Sequence, residues 1–519
     1  MMVRDRREGE RSDAGNVHSD AADAARFAVP FRGADVNKLT NQPAGVTRRS
    51  WLQAAPTALA PLAAGAAQTG ARTERPNIIL FISDQFRWDC VGAMGLNPMN
   101  LTPHIDAMAG RGVLFRNAFS NQPVCAPARG SIFTGQYASR HGVWRNGISL
   151  NTSATTIATT LRSAGYSANY IGKWHLAGNN GTPDQRETTG PVPPDRRGGF
   201  LDLWQASNVL ELTSHAYEGD LYDNDGKPMH FSGVYRADFM TGLAQRFLRS
   251  AKPPFLLALS YLEVHHQNDI DSYVPPKELA GRYKNPFIPQ DLRPLPGSWP
   301  SQLSDYFGCV AKMDETVGTI RKTLVETGLD KNTILVFVSD HGCHFKTRNS
   351  EYKRSPHESS IHVPLVVEGP GFNRSIEIPE LVSLVDLAPS LLAAAGVAIP
   401  ESMQGRSFLP LLDRRTDGWR DEVYFETSEF MTARGLRTPQ YTYAAAVPKR
   451  AGSTAAPASD HYVEYMLYDL YADPYQHVNL AGNQHCAEVS GKLRQRLAER
   501  IFEAGGVRST IEPAIFPYP

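Results

Sequence analysis

The sequence predicts an α/β fold: a large, mostly parallel sheet sandwiched by helices, followed by a smaller C-terminal antiparallel sheet with a helix. Three observations carry this prediction. Short, wholly apolar runs with β-branched character alternate with helical segments, the pattern of strands buried on both faces. Four of those runs stop abruptly at polar or charged clusters, which is where open α/β sheets place their ligands. Past Trp419 the pattern changes to short strands and one amphipathic helix.

Taken in order, Pro76-Asn77 opens the run Ile78–Ile82, which ends at Ser83-Asp84-Gln85. Residues Ser153–Ala164 read as a helix stopped by Gly165. Ala168–Ile171 is a strand that meets Gly172-Lys173-Trp174-His175. Residues Gly178–Met229 are rich in Gly, Pro and polar side chains, and read as a long loop that builds a pocket rim. Its Trp204, Tyr217 and Tyr222, with Tyr235 just beyond, either stack on sugars or pack this insert onto the body. Phe255–Leu262 runs into Glu263-Val264-His265-His266, and Thr333–Val338 into Ser339-Asp340-His341-Gly342. Val363–Val367 is a further strand, and Leu381–Ala395 a helix closed by Gly396. Val423–Thr427, Tyr441–Ala446 and Met466–Leu470 read as strands of the second unit, and Ser490–Ala504 as its helix.

A chain of 519 residues, 41% hydrophobic and 20% charged, has the composition of a globular protein with one or two domains. A formal net charge of zero excludes a nucleic-acid partner held by bulk electrostatics. The five cysteines, at 90, 125, 309, 343 and 486, are scattered, with neither metal-finger spacing nor a dense disulfide framework.

The first 46 residues are polar and charged, and read as a disordered leader. Residues 47–70 hold Thr47-Arg48-Arg49-Ser50-Trp51-Leu52, an Ala/Leu/Pro stretch and small residues around Ala64-Gly65-Ala66. This resembles a twin-arginine export signal, which implies the twin-arginine machinery as a partner and a periplasmic or secreted location. The apolar run is too short to span a membrane. Residues 76–414 then form the catalytic unit and 415–519 the C-terminal one.

Asp84, Gln85, Asp340 and His341 make an oxygen-rich set with one imidazole, suited to a hard divalent cation. Taken singly, each Asp could equally be a turn or cap residue. Cys125-Ala126-Pro127-Ala128-Arg129-Gly130 puts a cysteine before a first-turn proline, hence at a helix N-terminus with positive potential. Lys173 and His175, two apart, share a face if the segment is extended.

The run Cys125-x-Pro127-x-Arg129, continued as Gly130-Ser131-Ile132-Phe133-Thr134-Gly135, resembles the type I sulfatases of the alkaline-phosphatase superfamily. Gly172-Lys173-Trp174-His175-Leu176 and Asp340-His341-Gly342 are similar to that family too, and so is Tyr468-Asp469-Leu470-Tyr471-Ala472-Asp473-Pro474 for its C-terminal subdomain. The resemblance covers nearly everything after Pro76. It implies that a formylglycine-generating enzyme oxidises Cys125, and that one hydroxyl of the aldehyde hydrate attacks sulfur while the other later expels sulfate.

It further implies a divalent metal at Asp84, Gln85, Asp340 and His341, calcium first, with magnesium or manganese as alternatives. Arg129 holds the formylglycine, Lys173 contacts sulfate or hydrate, and His175 deprotonates the hydrate. His265 or its neighbour His266 takes the family's histidine position, and Lys353 grips the sulfate. Lys346, Arg348 and Arg354 give the same loop a local positive balance, either around the pocket or simply solvated. The chain departs from many sulfatases in having Gln85 where a second Asp stands, a point at which it is similar to phosphonate monoester hydrolases. Three functions follow as expectations: a sulfuric ester hydrolase acting on an organic sulfate, a sulfated glycan among them; a phosphonate monoester or phosphodiester hydrolase; or a non-catalytic exported glycan-binding protein.

Overall fold

A computed structural model describes residues 75–178, 189–448 and 456–514. The leader and the twin-arginine-like segment lie outside the described residues. The described residues belong to one compact unit, Ala71–Pro519, which holds two sheets. Among them, no helix is long and apolar enough to cross a membrane.

The large sheet has eleven strands: β1 (Asn77–Ser83), β2 (Val113–Phe119), β3 (Ser167–Lys173), β4 (Leu203–Ser207), β5 (Ser214–His215), β6 (Glu218–Tyr222), β7 (Pro228–Ser232), β8 (Phe255–Tyr261), β9 (Thr333–Ser339), β10 (His362–Glu368) and β11 (Ile376–Ser383). Their order is β11-β2-β10-β9-β1-β8-β3-β4-β6-β5, with β7 on β6. The block β9-β1-β8-β3-β4 is parallel, and antiparallel strands finish both sides.

Central strand β1 shows why the apolar runs carry no polar alternation. Ile79 and Phe81 enter one core, and Ile78, Leu80 and Ile82 the other, all at most 1% exposed. The first core is covered by helices Pro103–Arg111, Arg236–Ser250 and Trp299–Thr327. Helices Cys125–Thr134, Ile157–Ser163 and Leu387–Ala394 cover the second. Truncating a Leu in such a strand to Ala costs about 2–5 kcal/mol.

Register then brings the carboxyl ends of the strands level. Ser83 pairs with Ser339 of β9 and Tyr261 of β8, and Gly172 with Ser260. Serine hydroxyls tie the exits together: Ser83 Oγ donates to Glu263 O at 2.7 Å, and Ser339 Oγ accepts from Phe86 N at 2.9 Å. Gly172 has φ +114°, and a Cβ there would lie 2.1 Å from Ser260 O, so only glycine permits this approach.

The second sheet runs β12 (Val423–Thr427), β13 (Ala433–Arg437), β14 (Tyr441–Ala446), β15 (His461–Asp469) and β16 (Thr510–Glu512), with helix Ala487–Glu503 against it. Its first four strands are antiparallel, and β16 adds a parallel pair. Val423, Phe425, Ala444 and Met466 share one core cluster with Phe119, Ile361 and Leu381 of the body.

Three sequence expectations need correction. The helix expected at Ser153 starts at Ile157, because Thr156 caps it by accepting from Thr159 N at 3.0 Å. The apolar stretch from Leu381 is the end of β11; Ser383 and Asp386 form a capping box, and the helix begins at Leu387. The insert read as a loop holds β4, β5, β6 and the short helix Leu210–Thr213 among its described residues, and runs into β7. Its aromatics pack: Trp204 is fully buried against Tyr170 and Trp174, and Tyr235 is 3% exposed with its hydroxyl on Val274 O at 2.8 Å. Tyr217 packs edge-on against Tyr235, and Tyr222 lies half-buried in the β6–β7 ladder.

Candidate active site

The level strand ends project their polar residues into one buried cluster. Asp84 follows β1, Asp340 and His341 follow β9, Lys173 ends β3, and His265 follows β8. Helix Cys125–Thr134 starts at the cluster. Its Ala126 N is capped from outside by Asn146 Oδ1 at 3.1 Å. Gly130 lets His141 pack onto this helix, since a Cβ would lie 2.6 Å from His141 Cε1.

Cys125 Sγ lies 2.9 Å from Lys353 Nζ, 3.3 Å from His341 Nε2 and 3.6 Å from Asp84 Oδ1. Burial alone would raise the thiol. Lys173, Lys353 and His341, with a hydrogen bond from His175, bring it well below the usual cysteine range. Arg129 is fully buried, with Nη2 3.2 Å from both Asp84 Oδ2 and Asp340 Oδ2 and Nη1 donating to Lys173 O at 3.0 Å. Lys173 Nζ bridges Asp84 Oδ2 at 2.8 Å and Glu211 Oε1 at 2.7 Å.

The two aspartates are pushed apart. Burial and the Cys125 charge would raise Asp84, yet Lys173, His265 and Lys353 hold it below the ordinary carboxylate range. Asp340 goes up, through burial and the charge of Asp84, against His341 and Arg129. This is the behaviour of two carboxylates sharing one site.

Lys353 Nζ also reaches His265 Nε2 and His341 Nε2, each at 3.2 Å. His265 Nδ1 is engaged with His266 O at 2.6 Å, so its Nε2 faces Lys353. His266 stacks between His265 and Tyr352 instead, with centroids at 4.4 and 4.0 Å. His175 joins the cluster from a left-handed backbone, φ +62°, not from the extended one expected, while Trp174 between it and Lys173 turns into the aromatic core. The remaining cations of the Lys353 loop point elsewhere. Lys346 pairs with Asp271, Arg354 with Glu429 and Glu351, and Arg348 donates to the carbonyls of Tyr475 and Gln476.

Asp84, Cys125, Asp340 and His341 offer ligand atoms that all lie within 4.8 Å of one another. Two buried acceptors, on Gln85 and Asp340, have no hydrogen bond. Gln85 Oε1 is buried with no hydrogen bond, because its Nε2 is spent on Tyr273 OH at 2.8 Å and Cys343 Sγ at 3.5 Å. Asp340 Oδ2 meets Arg129 without hydrogen-bond geometry. His341 Nδ1 is engaged with Gly342 O at 3.0 Å, and Nε2 faces Cys125 Sγ and Lys353 Nζ at 3.3 and 3.2 Å. Anionic and neutral oxygens with one imidazole suit a hard divalent cation, so these residues fit a metal.

Two residues of the cluster escape sequence reasoning. Glu211 sits in the insert read as a loop, and no spacing marks it. Tyr273 orients Gln85 from a segment with no motif.

Buried cations around a cysteine at a helix start, beside acceptors that fit a divalent cation, make a site able to hold an anionic group. Comparison with known proteins specifies the class. Residues 76–397 match the family model described as Sulfatase, and residues 351–503 the model described as N-sulphoglucosamine sulphohydrolase, C-terminal. The chain belongs to the sulfatase family, within the alkaline-phosphatase superfamily. It is 30% identical over 454 residues to an ulvan-active sulfatase of Formosa agariphila, covering 83% of this chain and 82% of that one. It is 28% identical over 499 residues to an endo-4-O-sulfatase of Bacteroides thetaiotaomicron, covering 84% and 94%. A solved Bacteroides thetaiotaomicron structure, titled for the metabolism of multiple glycosaminoglycans, aligns with TM-score 0.71 at 26% identity over 83% of this chain and 97% of that one. The phosphonate monoester hydrolase of Agrobacterium radiobacter shares the fold, with TM-score 0.63 at 22% identity over 83% and 96% of the two chains. The protein is a sulfatase and hydrolyses sulfate esters.

Proposed function

We propose that this sulfatase removes sulfate from a sulfated glycan, with Cys125 oxidised to formylglycine and a divalent ion, calcium first, held by Asp84, Gln85, Asp340 and His341. The observation that carries the reading is the placement of Cys125 Sγ at a helix start, within 3.6 Å of Lys353, His341 and Asp84. The glycan class rests on the relatives, two of which are named for a polysaccharide or an endo-acting sulfatase. Hydrated formylglycine would supply one hydroxyl to attack sulfur and displace the alcohol, and a second whose deprotonation would expel sulfate and restore the aldehyde. When bound, the ion supplies Lewis-acid charge against the sulfate oxygens.

The chain's own side chains do the rest. Lys173 and Lys353 offset the sulfate charge from two sides, fixed in place by Asp84 and His265. His175, hydrogen-bonded at residue 125, takes the proton from the hydroxyl that expels sulfate. In this reading His265 Nε2, beside Lys353, stabilises the leaving oxygen. Arg129 holds the anionic end of the site together from below. Gln85 also fits the phosphonate and phosphodiester hydrolase reading, but the pair Lys173 and His175 favours sulfate. We further propose export by the twin-arginine route, on the strength of Arg48-Arg49 and the small residues after it.

Peptide mass spectrometry across Cys125, with parallel turnover of an aryl sulfate, an aryl phosphodiester and an aryl phosphonate, tests this. The expected result is the aldehyde at Cys125 and preference for the sulfate ester. An unmodified thiol in fully active enzyme rejects the mechanism, and preference for either phosphorus ester rejects the substrate class.

A further inference from the structure

Glu211 has no role in the chemistry above, although its carboxylate stands in the cluster. It lies on the short helix Leu210–Thr213 after β4 and is 7% exposed. Oε1 accepts from Lys173 Nζ at 2.7 Å. Oε2 is buried and accepts no hydrogen bond from the protein. Leaving a buried charged acceptor unfilled is costly. Lys173 already has a carboxylate partner in Asp84, so Glu211 is not required to neutralise it. A second carboxylate beside a sulfate-binding lysine opposes sulfate, unless the ligand brings a hydrogen-bond donor to it. Lys173 joins Glu211 to Asp84, which itself lies 3.6 Å from Cys125 Sγ, so the carboxylate stands one lysine away from the reacting position.

We infer that Glu211 determines substrate specificity: its free Oε2 accepts a hydrogen bond from a hydroxyl or amine carried on the atom next to the one bearing the sulfate. The substrate class is then a vicinal hydroxy- or amino-sulfate, in place of an isolated sulfate ester. This rests on the sulfate-ester reading and adds which neighbour of the ester is recognised.

Three model esters of similar leaving-group chemistry test it: phenyl sulfate, 2-hydroxyphenyl sulfate and 2-methoxyphenyl sulfate. In the wild-type enzyme, kcat/KM for the 2-hydroxy ester should exceed that for phenyl sulfate by about tenfold to a hundredfold, as for a hydrogen bond to a charged group. The 2-methoxy ester, which has bulk but no donor, should show no such gain. In Glu211→Gln, whatever happens to phenyl sulfate through Lys173, the ratio of the two rates should collapse towards unity. The wild-type comparison of hydroxy and methoxy esters stands even where the variant folds poorly. Equal loss on both esters in the variant makes Glu211 a clamp on Lys173 and overturns the inference, as does a wild-type enzyme indifferent to the 2-hydroxyl. Failure of the wild-type enzyme, with Cys125 converted, to hydrolyse any of the three faults the sulfate-ester reading itself and removes this inference with it.

Discussion

Asp340 and Asp386 are both fully buried carboxylates, and the protein finishes them differently. Asp386 is saturated: Ser383 N, Arg406 N and both ends of the Arg420 guanidinium donate to its two oxygens. Around Asp340 the acceptors are left open, with Asp340 Oδ2, Gln85 Oε1 and Glu211 Oε2 all lacking hydrogen bonds. A saturated buried charge joins pieces of a fold: Asp386 ties the turn after β11 to the segment leading into β12. An unsaturated cluster of buried acceptors is arranged for something that arrives later. The contrast sets these two regions apart without reference to any motif.

The largest effect expected lies in the open region. Cys125→Ala should cut turnover by about four orders of magnitude or more, the scale for losing a nucleophile. Cys125→Ser should give at most a single burst of alcohol followed by a stall, read by quenched-flow assay. Sustained turnover by the serine variant would remove the geminal-diol mechanism.

In the saturated region the loss should appear in stability. Asp386→Ala strands Arg420 and should cost about 3–5 kcal/mol in denaturant unfolding. Activity per folded molecule should stay within about twofold, because the Asp386 carboxylate bonds to Ser383, Arg406 and Arg420 and to no side chain of the cluster. A large fall in kcat with little loss of stability would break the comparison.

A smaller effect is expected at the metal-competent acceptors. Tyr273→Phe frees the Gln85 amide to turn, and should weaken divalent-ion binding by about tenfold in calorimetry, the low end for outer partners of a metal site. Gln85→Asp should change the order of preference among Ca²⁺, Mg²⁺ and Mn²⁺ and retain binding. Unchanged affinity in both variants would show that Gln85 Oε1 does not face an ion.

The remaining effect concerns pH. Glu358 is held at about 2, below its ordinary 4.5; burial opposes this, and Arg437 and His362 prevail. A depressed acid stabilises the fold fully above its unfolded value and loses that contribution as pH falls through its folded value. The window is therefore pH 4.5 down to about 2, and the contribution is at most about 3 kcal/mol. Glu358→Gln should be less stable at pH 7 and converge on the wild type near pH 2. Parallel stability curves across that window would sink this assignment.

Much of the fold was legible because its central strands are buried on both faces, which turns them into uninterrupted apolar runs. β12 and β14 were read to the residue, and the ends of β1, β3, β8 and β9 well enough to gather Asp84, Lys173, His265 and Asp340 at one crevice. What stayed hidden depends on tertiary context. The 29-residue helix Trp299–Thr327 has too mixed a face to stand out, and β11 merged with the following helix because both are apolar. Glu211 and Tyr273 carry no local signal, since what marks them is contact with Lys173 and Gln85, 38 and 188 residues away in the chain. His265 and His266 were indistinguishable as neighbours; the stacking of one on Tyr352 separates them.

Cys125 is 1% exposed, and its walls come from β1, β3, β8 and β9, which span the chain from Asn77 to Ser339. A macromolecular catalyst that must grasp the Cys125–Arg129 segment has no access once those strands have paired. Under the proposed conversion of Cys125 to formylglycine, maturation is thus a matter of timing. The side chain would then have to be rewritten during the interval between synthesis of helix Cys125–Thr134 and the arrival of β9, some two hundred residues later. A chain that folds faster than it is modified is sealed with an unconverted thiol, so the fraction of active enzyme in a preparation records a race between an oxidation and the closing of a sheet.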